Sequence, residues 1–371
     1  MTLDTAEHID TLVIGAGQAG LATGKLLVER GRNVVILDAL GRVGDNWRRH
    51  YDSLRLYSPA CLDGLPGMDF PAPSHHFPTR DEVADYLEDY ARHFALPVRN
   101  GVRVHEVAPD RDGYVVQTET GQIRAANVVV ATGTFGRPHV PDFASNLDPT
   151  ITQLHSSQYG NPTDLQPGPV VVVGAAHSGA DIALEVARAG HATTLVGRDP
   201  GQVPVDIEGR LGPLLTRLER FVFTKVMTLR TPMGRKARER VRNHGGILLR
   251  VRRGDLRDAG VDWVTQRVDG IHAGRLLVLD DDSTIDAANV VWCTGYRQDF
   301  GWIDLPVFTD DGWPREHRGV VADAPGLYFV GLAFQYSFAS MLLLGVGQDA
   351  RHVVDHLLAR QPTPSASPSP A

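Results

Sequence analysis

An α/β protein wound around two parallel sheets is what this sequence predicts, and three observations carry that expectation. First, Asp10-Thr11-Leu12-Val13-Ile14 runs into Gly15-Ala16-Gly17-Gln18-Ala19-Gly20, and a helical pattern continues to Arg30. Second, Pro169-Val170-Val171-Val172-Val173 runs into Gly174-Ala175-Ala176-His177-Ser178-Gly179, with Asp181–Arg188 continuing as helix. Third, the stretch Ile123–Gly133 recurs as Ile285–Gly295, each copy a strand ending in Thr-Gly. Strand, G-x-G-x-x-G turn and helix open a Rossmann-like dinucleotide-binding unit. Two such openings, each followed by the same later strand, predict a duplicated architecture.

The elements follow in order. Gly15 takes the tight turn, Gly17 lets backbone approach a pyrophosphate, and Gly20 lets helix and strand pack closely. The helix N-terminus offers N–H groups and the positive end of its dipole to phosphates. Gly31 ends the helix, Asn33–Leu37 reads as the second strand, and Asp38 closes it. An acid about 20 residues beyond the glycines is where a ribose hydroxyl is held. From Gly41 to Pro78 glycine, proline and aromatic residues predict an ordered, irregular excursion of the kind that covers a ligand. Thr79-Arg80-Asp81-Glu82 is a capping box opening a helix with the apolar stripe Val83, Tyr86, Leu87, Tyr90 and Phe94, stopped by Pro97. Strands are expected around 102–104, 114–118 and 123–131. In the second half Thr193–Val196 is the second strand of its unit.

Between Pro204 and Arg257 the second half carries a stretch without counterpart in the first, rich in cations such as Arg217, Lys225, Arg230, Arg235, Arg242 and Arg250. It reads as a lid over a substrate entrance or a basic surface for a membrane or acidic partner. A solvated helical insertion whose arginines meet the chain's acids is favoured over the membrane role. The Pro/Ser-rich tail at 361–371 has nothing to bury and is expected to be disordered.

With 371 residues the chain is long enough for about two domains. A net charge of −7 disfavours a general nucleic-acid binder. Cys61 and Cys293 are the only cysteines and form no C-x-x-C, so a dithiol redox centre and a cysteine zinc site are unsupported. No signal peptide and no apolar run near the ~18 residues of a membrane span are present, which predicts a cytoplasmic protein. Oligomeric state is left open.

The two turns differ in a way that assigns their ligands. The first keeps all three glycines and ends its second strand in Asp38, which suits an adenine ribose with a free hydroxyl, as in FAD. The second has Ala176 at the middle position and ends in Val196-Gly197-Arg198, where a guanidinium suits a ribose 2′-phosphate. That predicts NADPH over NADH.

Together these motifs resemble the class B flavin-containing monooxygenases, and within them the smaller bacterial and plant auxin-forming branch. Gly15–Gly20, Gly44-Asp45-Asn46-Trp47, Tyr51–Leu56, Gly174–Gly179, Cys293-Thr294-Gly295-Tyr296 and Gly326–Gly331 carry the resemblance, which extends to about Leu358. It implies an FAD domain from residues 1–165 and 291–360, with an NADPH domain at 166–290 inserted between them. The cofactor contacts it implies are Gly15, Gly17, Gln18, Ala19, Gly20, Asp38, Asn46, Trp47, Leu54, Val104, Ala131, Thr132, Gly133, Thr294, Gly295, Gln335 and Ser340. On the nicotinamide side they are Gly174, Ala176, His177, Ser178, Gly179 and Arg198. Of the family fingerprint F-x-G-x-x-x-H-x-x-x-Y/F, His155 and Tyr159 are present while Pro149 and Ile151 replace Phe and Gly. The Asn of T-N-x-P is absent from Leu56-Tyr57-Ser58-Pro59, where Tyr57 stands at its position and its taking over the role is left open. Tyr57, His155 and Tyr159 are therefore the candidate catalytic residues, His155 as a hinge histidine rather than a base. The implied reaction passes one oxygen from a C4a-hydroperoxyflavin to a small organic substrate, with O2 as the other partner. An NADPH oxidase or flavin reductase without organic substrate, and a non-catalytic flavin-binding regulator, are the alternatives.

Overall fold

A computed structural model of the chain describes residues 7–204, 206–209, 216, 218, 220–243 and 245–360. The tail at 361–371 and Arg217 of the basic stretch lie outside these residues.

Strand β1 (Glu7–Ile14) feeds α1 (Gln18–Glu29), and β2 (Val34–Asp38) returns parallel to β1. A short α2 (Asp45–Arg48) and a 3-10 turn at Ala60–Leu62 interrupt the irregular stretch that follows. Helix α3 (Arg80–His93) starts at the expected capping box, the Thr79 N–H donating to Glu82 Oε2 at 2.7 Å. Its stripe of Val83, Tyr86, Leu87 and Tyr90 is buried, and the hydroxyls of Tyr86 and Tyr90 donate to the carbonyls of Met68 and Pro66, each at 2.7 Å. These two bonds explain how a loop without regular structure is held in place.

Strands β3 (Val98–Asn100), β4 (Val104–Asp110), β5 (Gly113–Thr118) and β6 (Gly121–Val130) complete the first half. The strand expected at 102–104 begins where that expectation ends, because Gly101 and Val102 are spent on backbone bonds to Leu40 and Asp38. A two-residue β7 (Arg137–Pro138) precedes β8 (Thr152–His155). The second unit consists of β9 (Val170–Val173), α4 (His177–Arg188) and β10 (Thr193–Val196). The basic stretch holds a π-turn at Val222–Val226, α5 (Pro232–Asn243) and α6 (Arg253–Asp258). Strands β11 (Asp262–Val264), β12 (Val268–His272), β13 (Leu276–Leu279), β14 (Thr284–Asp286), β15 (Asn289–Trp292), β16 (Tyr296–Arg297) and β17 (Leu327–Phe329) lead to the C-terminal helix α7 (Leu343–Arg360).

The first sheet has the order β3-β2-β1-β6-β5-β4, and β17 pairs parallel with the end of β6, so both halves of the chain contribute to it. The second sheet has the order β11-β10-β9-β15-β8. Strand β8 pairs with β15 (Thr152 opposite Asn289), so the second sheet claims residues ahead of the expected change at 165/166. Strand β15 straddles the expected change at 290/291 for the same reason. The stretch at 204–257 is also not wholly an insertion, because α6, with Leu256 buried, precedes β11 as the crossover from the parallel β10.

Both faces of each sheet are covered. The helices α1, α3 and α7 pack on one side of the first sheet through Leu21, Leu27, Leu87 and Val353. Isoleucine, leucine and valine from α4 cover the second sheet through Ile182, Leu184 and Val186. The near-continuous Val170–Val173 run is the composition a strand buried on both faces requires.

Candidate cofactor and active site

At the first turn Gly15 has φ +106°, and a Cβ added there would lie 2.7 Å from the Ala131 carbonyl oxygen. One added at Gly20 would lie 1.8 Å from the Gly15 oxygen. Gly17 is different, for the nearest atom to an added Cβ is Asn46 Nδ2 at 3.9 Å, so the outer side of the turn is bare. Gln18 and Ala19 begin α1 directly behind it, and Ala131, Thr132 and Gly133 follow β6 beside Gly15. Asp38 Oδ2 accepts the Ala16 N–H at 2.6 Å and Oδ1 accepts that of Leu40 at 2.8 Å. A carboxylate has about four acceptor positions, so Asp38 fixes the turn and keeps capacity for a hydroxyl. Val104 stands two residues after Val102, whose N–H donates to the Asp38 carbonyl at 2.9 Å. Trp47 carries a buried indole N–H with no acceptor, an orphaned donor beside the exposed Asn46. Leu54 is buried, its carbonyl taken by the Arg80 N–H. A bare glycine backbone at a helix start, a fixed acid and an orphaned donor are what a dinucleotide needs, and the first cradle fits FAD.

The second cradle repeats the backbone. Added Cβ atoms would lie 2.3 Å from the Cys293 oxygen at Gly174 and 1.7 Å from the Gly174 oxygen at Gly179. Arg198 is exposed beyond β10, and among the described residues no ion pair includes it. That open guanidinium fits a 2′-phosphate. Above this turn, unlike the first, the chain itself passes. A Cβ on Gly245 would come 2.3 Å from Ala176 Cβ, and His177 Nε2 donates to the Ile247 carbonyl. Burial holds the His177 imidazole below its ordinary value, so it stays neutral there. Ser178 is half-buried in the first turn of α4.

A cluster that the motifs did not announce joins the halves. Asp181 Oδ2 accepts from Tyr57 Oη at 2.9 Å, Arg250 Nη2 at 3.0 Å and Tyr51 Oη at 3.1 Å. The Tyr57 ring also lies against that of His177, centroids 4.5 Å apart. Burial next to this carboxylate holds both phenols well above their ordinary value. Removing one member of a buried pair leaves the other charge uncompensated, at a cost of about 3–5 kcal/mol. Asp181→Ala is therefore expected to lose about that much in urea unfolding of the FAD-loaded protein, and Asp181→Asn distinctly less.

His155 is buried with both ring nitrogens engaged: Nε2 donates to the Gly295 carbonyl at 3.0 Å, and Nδ1 accepts the Ser157 N–H at 3.1 Å. Burial lowers its pKa. Tyr159 is fully buried, its hydroxyl donating to Glu185 Oε2 on α4 at 2.9 Å. These two fingerprint residues thus sit in buried contacts, His155 against Gly295 and Tyr159 against α4. The Thr294 hydroxyl donates to the His139 carbonyl, and Gly295 is left-handed at φ +80°.

The strip before α7 has its polar groups turned inward. Gln335 Nε2 donates to the Phe329 carbonyl at 2.8 Å, and Ser340 Oγ accepts the N–H groups of Tyr336 and Ser337, both at 3.0 Å. Gln18 Nε2 reaches across to the Met341 carbonyl at 3.3 Å, which ties this strip to the first cradle. Beneath it Asp349 is buried, and that burial raises its carboxyl to about 6, the Ser340 bond and the Arg318 charge pulling the other way. With the folded value above the unfolded one, the native state holds the extra proton between about pH 4 and 6. The stability that this carboxyl contributes is then full below about pH 4, is lost as pH rises to about 6 and stays flat above. Asp349→Asn is expected to abolish that slope and to stabilise the protein by roughly 1–3 kcal/mol at about pH 8, read by urea unfolding across pH.

Two dinucleotide cradles, one on the first sheet and one on the second, define a flavin- and pyridine-nucleotide-dependent oxidoreductase. The chain belongs to the pyridine nucleotide-disulphide oxidoreductase family, whose sequence pattern matches residues 12–236, and within it to the class B flavin-monooxygenase-like group. It is 36% identical to a CzcO-like oxidoreductase of Geobacillus kaustophilus, over 95% of this chain and 99% of that protein. A flavin-containing monooxygenase structure from Stenotrophomonas maltophilia superposes with a TM-score of 0.76 at 28% identity, covering 95% of this chain and 99% of that one. Indole-3-pyruvate monooxygenase YUCCA1 of rice is 28% identical, over 92% of this chain and 89% of its own length. The protein is accordingly an enzyme, a flavin-dependent monooxygenase using FAD and NADPH. No disulfide joins Cys61 and Cys293, and no described helix is long and apolar enough to cross a membrane.

Proposed function

We propose that this enzyme consumes NADPH and O2 and transfers one oxygen atom to a nitrogen, sulfur or carbonyl centre of a small organic substrate, the other oxygen leaving as water. Bound FAD supplies the redox chemistry with O2 that amino-acid side chains lack. The first sheet, drawn from both halves of the chain, holds the flavin nucleotide, and the second sheet with its strands from β8 to β15 holds NADPH. Gly15, Gly17 and Gly20 with the start of α1 cradle one pyrophosphate, and Asp38 holds a ribose hydroxyl. Gly174, Ala176, Ser178 and Gly179 cradle the other, and Arg198 takes the 2′-phosphate. The observation that supports this most is the contrast at the two strand ends: Asp38 accepts two backbone N–H groups beside its turn, whereas Arg198 stands open to solvent beside its own.

Tyr57 is a positioning residue on this account. Its bond to Asp181 fixes the first-half loop against α4, and so one cradle against the other. His155 and Tyr159 hold the hinge. With both imidazole nitrogens bonded to backbone, His155 has no free site to take up a proton.

The test is oxygen transfer measured against peroxide. With a panel of amines, sulfides and ketones, at least one substrate is expected to give an oxygenated product in near-equal amount to the NADPH consumed. Hydrogen peroxide accounting for all the NADPH with every substrate would overturn the proposal in favour of an oxidase.

A further inference from the structure

A cavity of about 270 Å³ opens where the basic stretch meets the strip before α7. Its walls include Lys225, Thr228, Arg230, Arg318, Tyr336 and Gln348. The Leu229 N–H donates to the Tyr336 carbonyl at 2.9 Å and that of Phe338 to Met227 at 3.0 Å, so the two segments form one wall. That strip is the one Gln18 ties to the first cradle.

The charges around the cavity are unbalanced. Among the described residues, no carboxylate lies within ion-pair distance of Lys225, Arg230 or Arg318. Of the acids nearby, Glu316 pairs with Arg238 at 3.5 Å and Arg242 at 3.6 Å, and Asp349, buried and bonded to Ser340, feels the Arg318 charge through space without forming an ion pair with it. Tyr336 carries Arg318 at 4.1 Å and Arg230 at 5.9 Å from its ring centroid, which orients both guanidinium groups. Arg318 Nε is buried without an acceptor, and the residue is held at φ +53°, in the left-handed region. Like charges grouped this way repel, and an anion entering among them relieves the repulsion while taking charge-assisted hydrogen bonds.

We infer that this cavity seats the anionic group, a carboxylate or a phosphate, of a small organic substrate. Assigning the bound molecule as substrate rests on the monooxygenase reading above, whereas the anion site itself does not.

The experiment is calorimetric titration of the FAD-loaded enzyme, with and without saturating NADP+, using phenylacetate, phenyl phosphate and the neutral phenylacetamide. One or both anions are expected to bind at least tenfold more tightly than the amide, and the tighter of the two identifies the preferred group. Arg318→Gln is expected to cost at least tenfold in anion affinity with amide binding unchanged. Lys225→Gln, at an exposed side chain, is expected to weaken the anions in the same sense and covers the case in which the Arg318 variant misfolds. Equal affinity for anions and amide, or anion affinity unchanged in both variants, overturns the inference. So does loss of anion binding when NADP+ is added, since the cavity would then be the nucleotide's own phosphate seat. Turnover that yields peroxide alone, with anion selectivity intact, removes the proposed reaction and leaves the site standing.

Discussion

Gly20→Ala yields a chain expected to have lost FAD and much of its stability. The added Cβ would stand 1.8 Å from the Gly15 carbonyl oxygen and 2.9 Å from its carbon. Overpacking against side chains costs about 1–3 kcal/mol because side chains can move. Here the obstacle is backbone in the turn itself, so a loss at or above about 3 kcal/mol is expected, with bound flavin down at least tenfold. Gly17→Ala separates the two effects. Its Cβ would meet only Asn46 Nδ2, at an ordinary contact distance of 3.9 Å, so the thermal unfolding of the apoprotein is expected to stay near wild type while FAD affinity falls. Equal behaviour of the two variants would show that the turn's glycines serve folding alone.

Arg198→Ala carries the second large effect. A charge-assisted hydrogen bond contributes about 1.5–3 kcal/mol, so the KM for NADPH is expected to rise roughly ten- to hundredfold while that for NADH stays put. Arg198 is exposed and outside every core, so the fold is not at stake. If both nucleotides suffered alike, the 2′-phosphate would have to be held elsewhere.

The scaffold was legible because its signals are local. Each glycine turn is written in six residues, and the α3 capping box in four. The repeated Asn-Val-Val even marked equivalent interior positions: Asn127 and Asn289 are both fully buried, their side-chain amides donating to the backbone carbonyls of Asp10 and Gln166. The place of β8 was not legible. Thr152–His155 shows no apolar run, and its partner β15 lies in a different third of the chain. Asp181 was hidden for the same reason, since its donors Tyr51, Tyr57 and Arg250 come from distant segments and only the fold brings them to one oxygen. Composition likewise marked the basic stretch without sorting it. Arg238 and Arg242 close on Glu316 and Arg250 on Asp181, while Lys225 and Arg230 face a cavity. That division depends on which acids the packing has already claimed.

Electrons are expected to pass from a phosphorylated nicotinamide on one fold to a flavin on the other. Anaerobic titration of the purified protein with NADPH, followed in the visible flavin band, tests it directly. A yellow protein whose band bleaches with about one equivalent of NADPH, and with NADH only at far higher concentration, is the expected result. A colourless protein that takes up no added FAD, or a flavin band that NADPH leaves untouched, would contradict it.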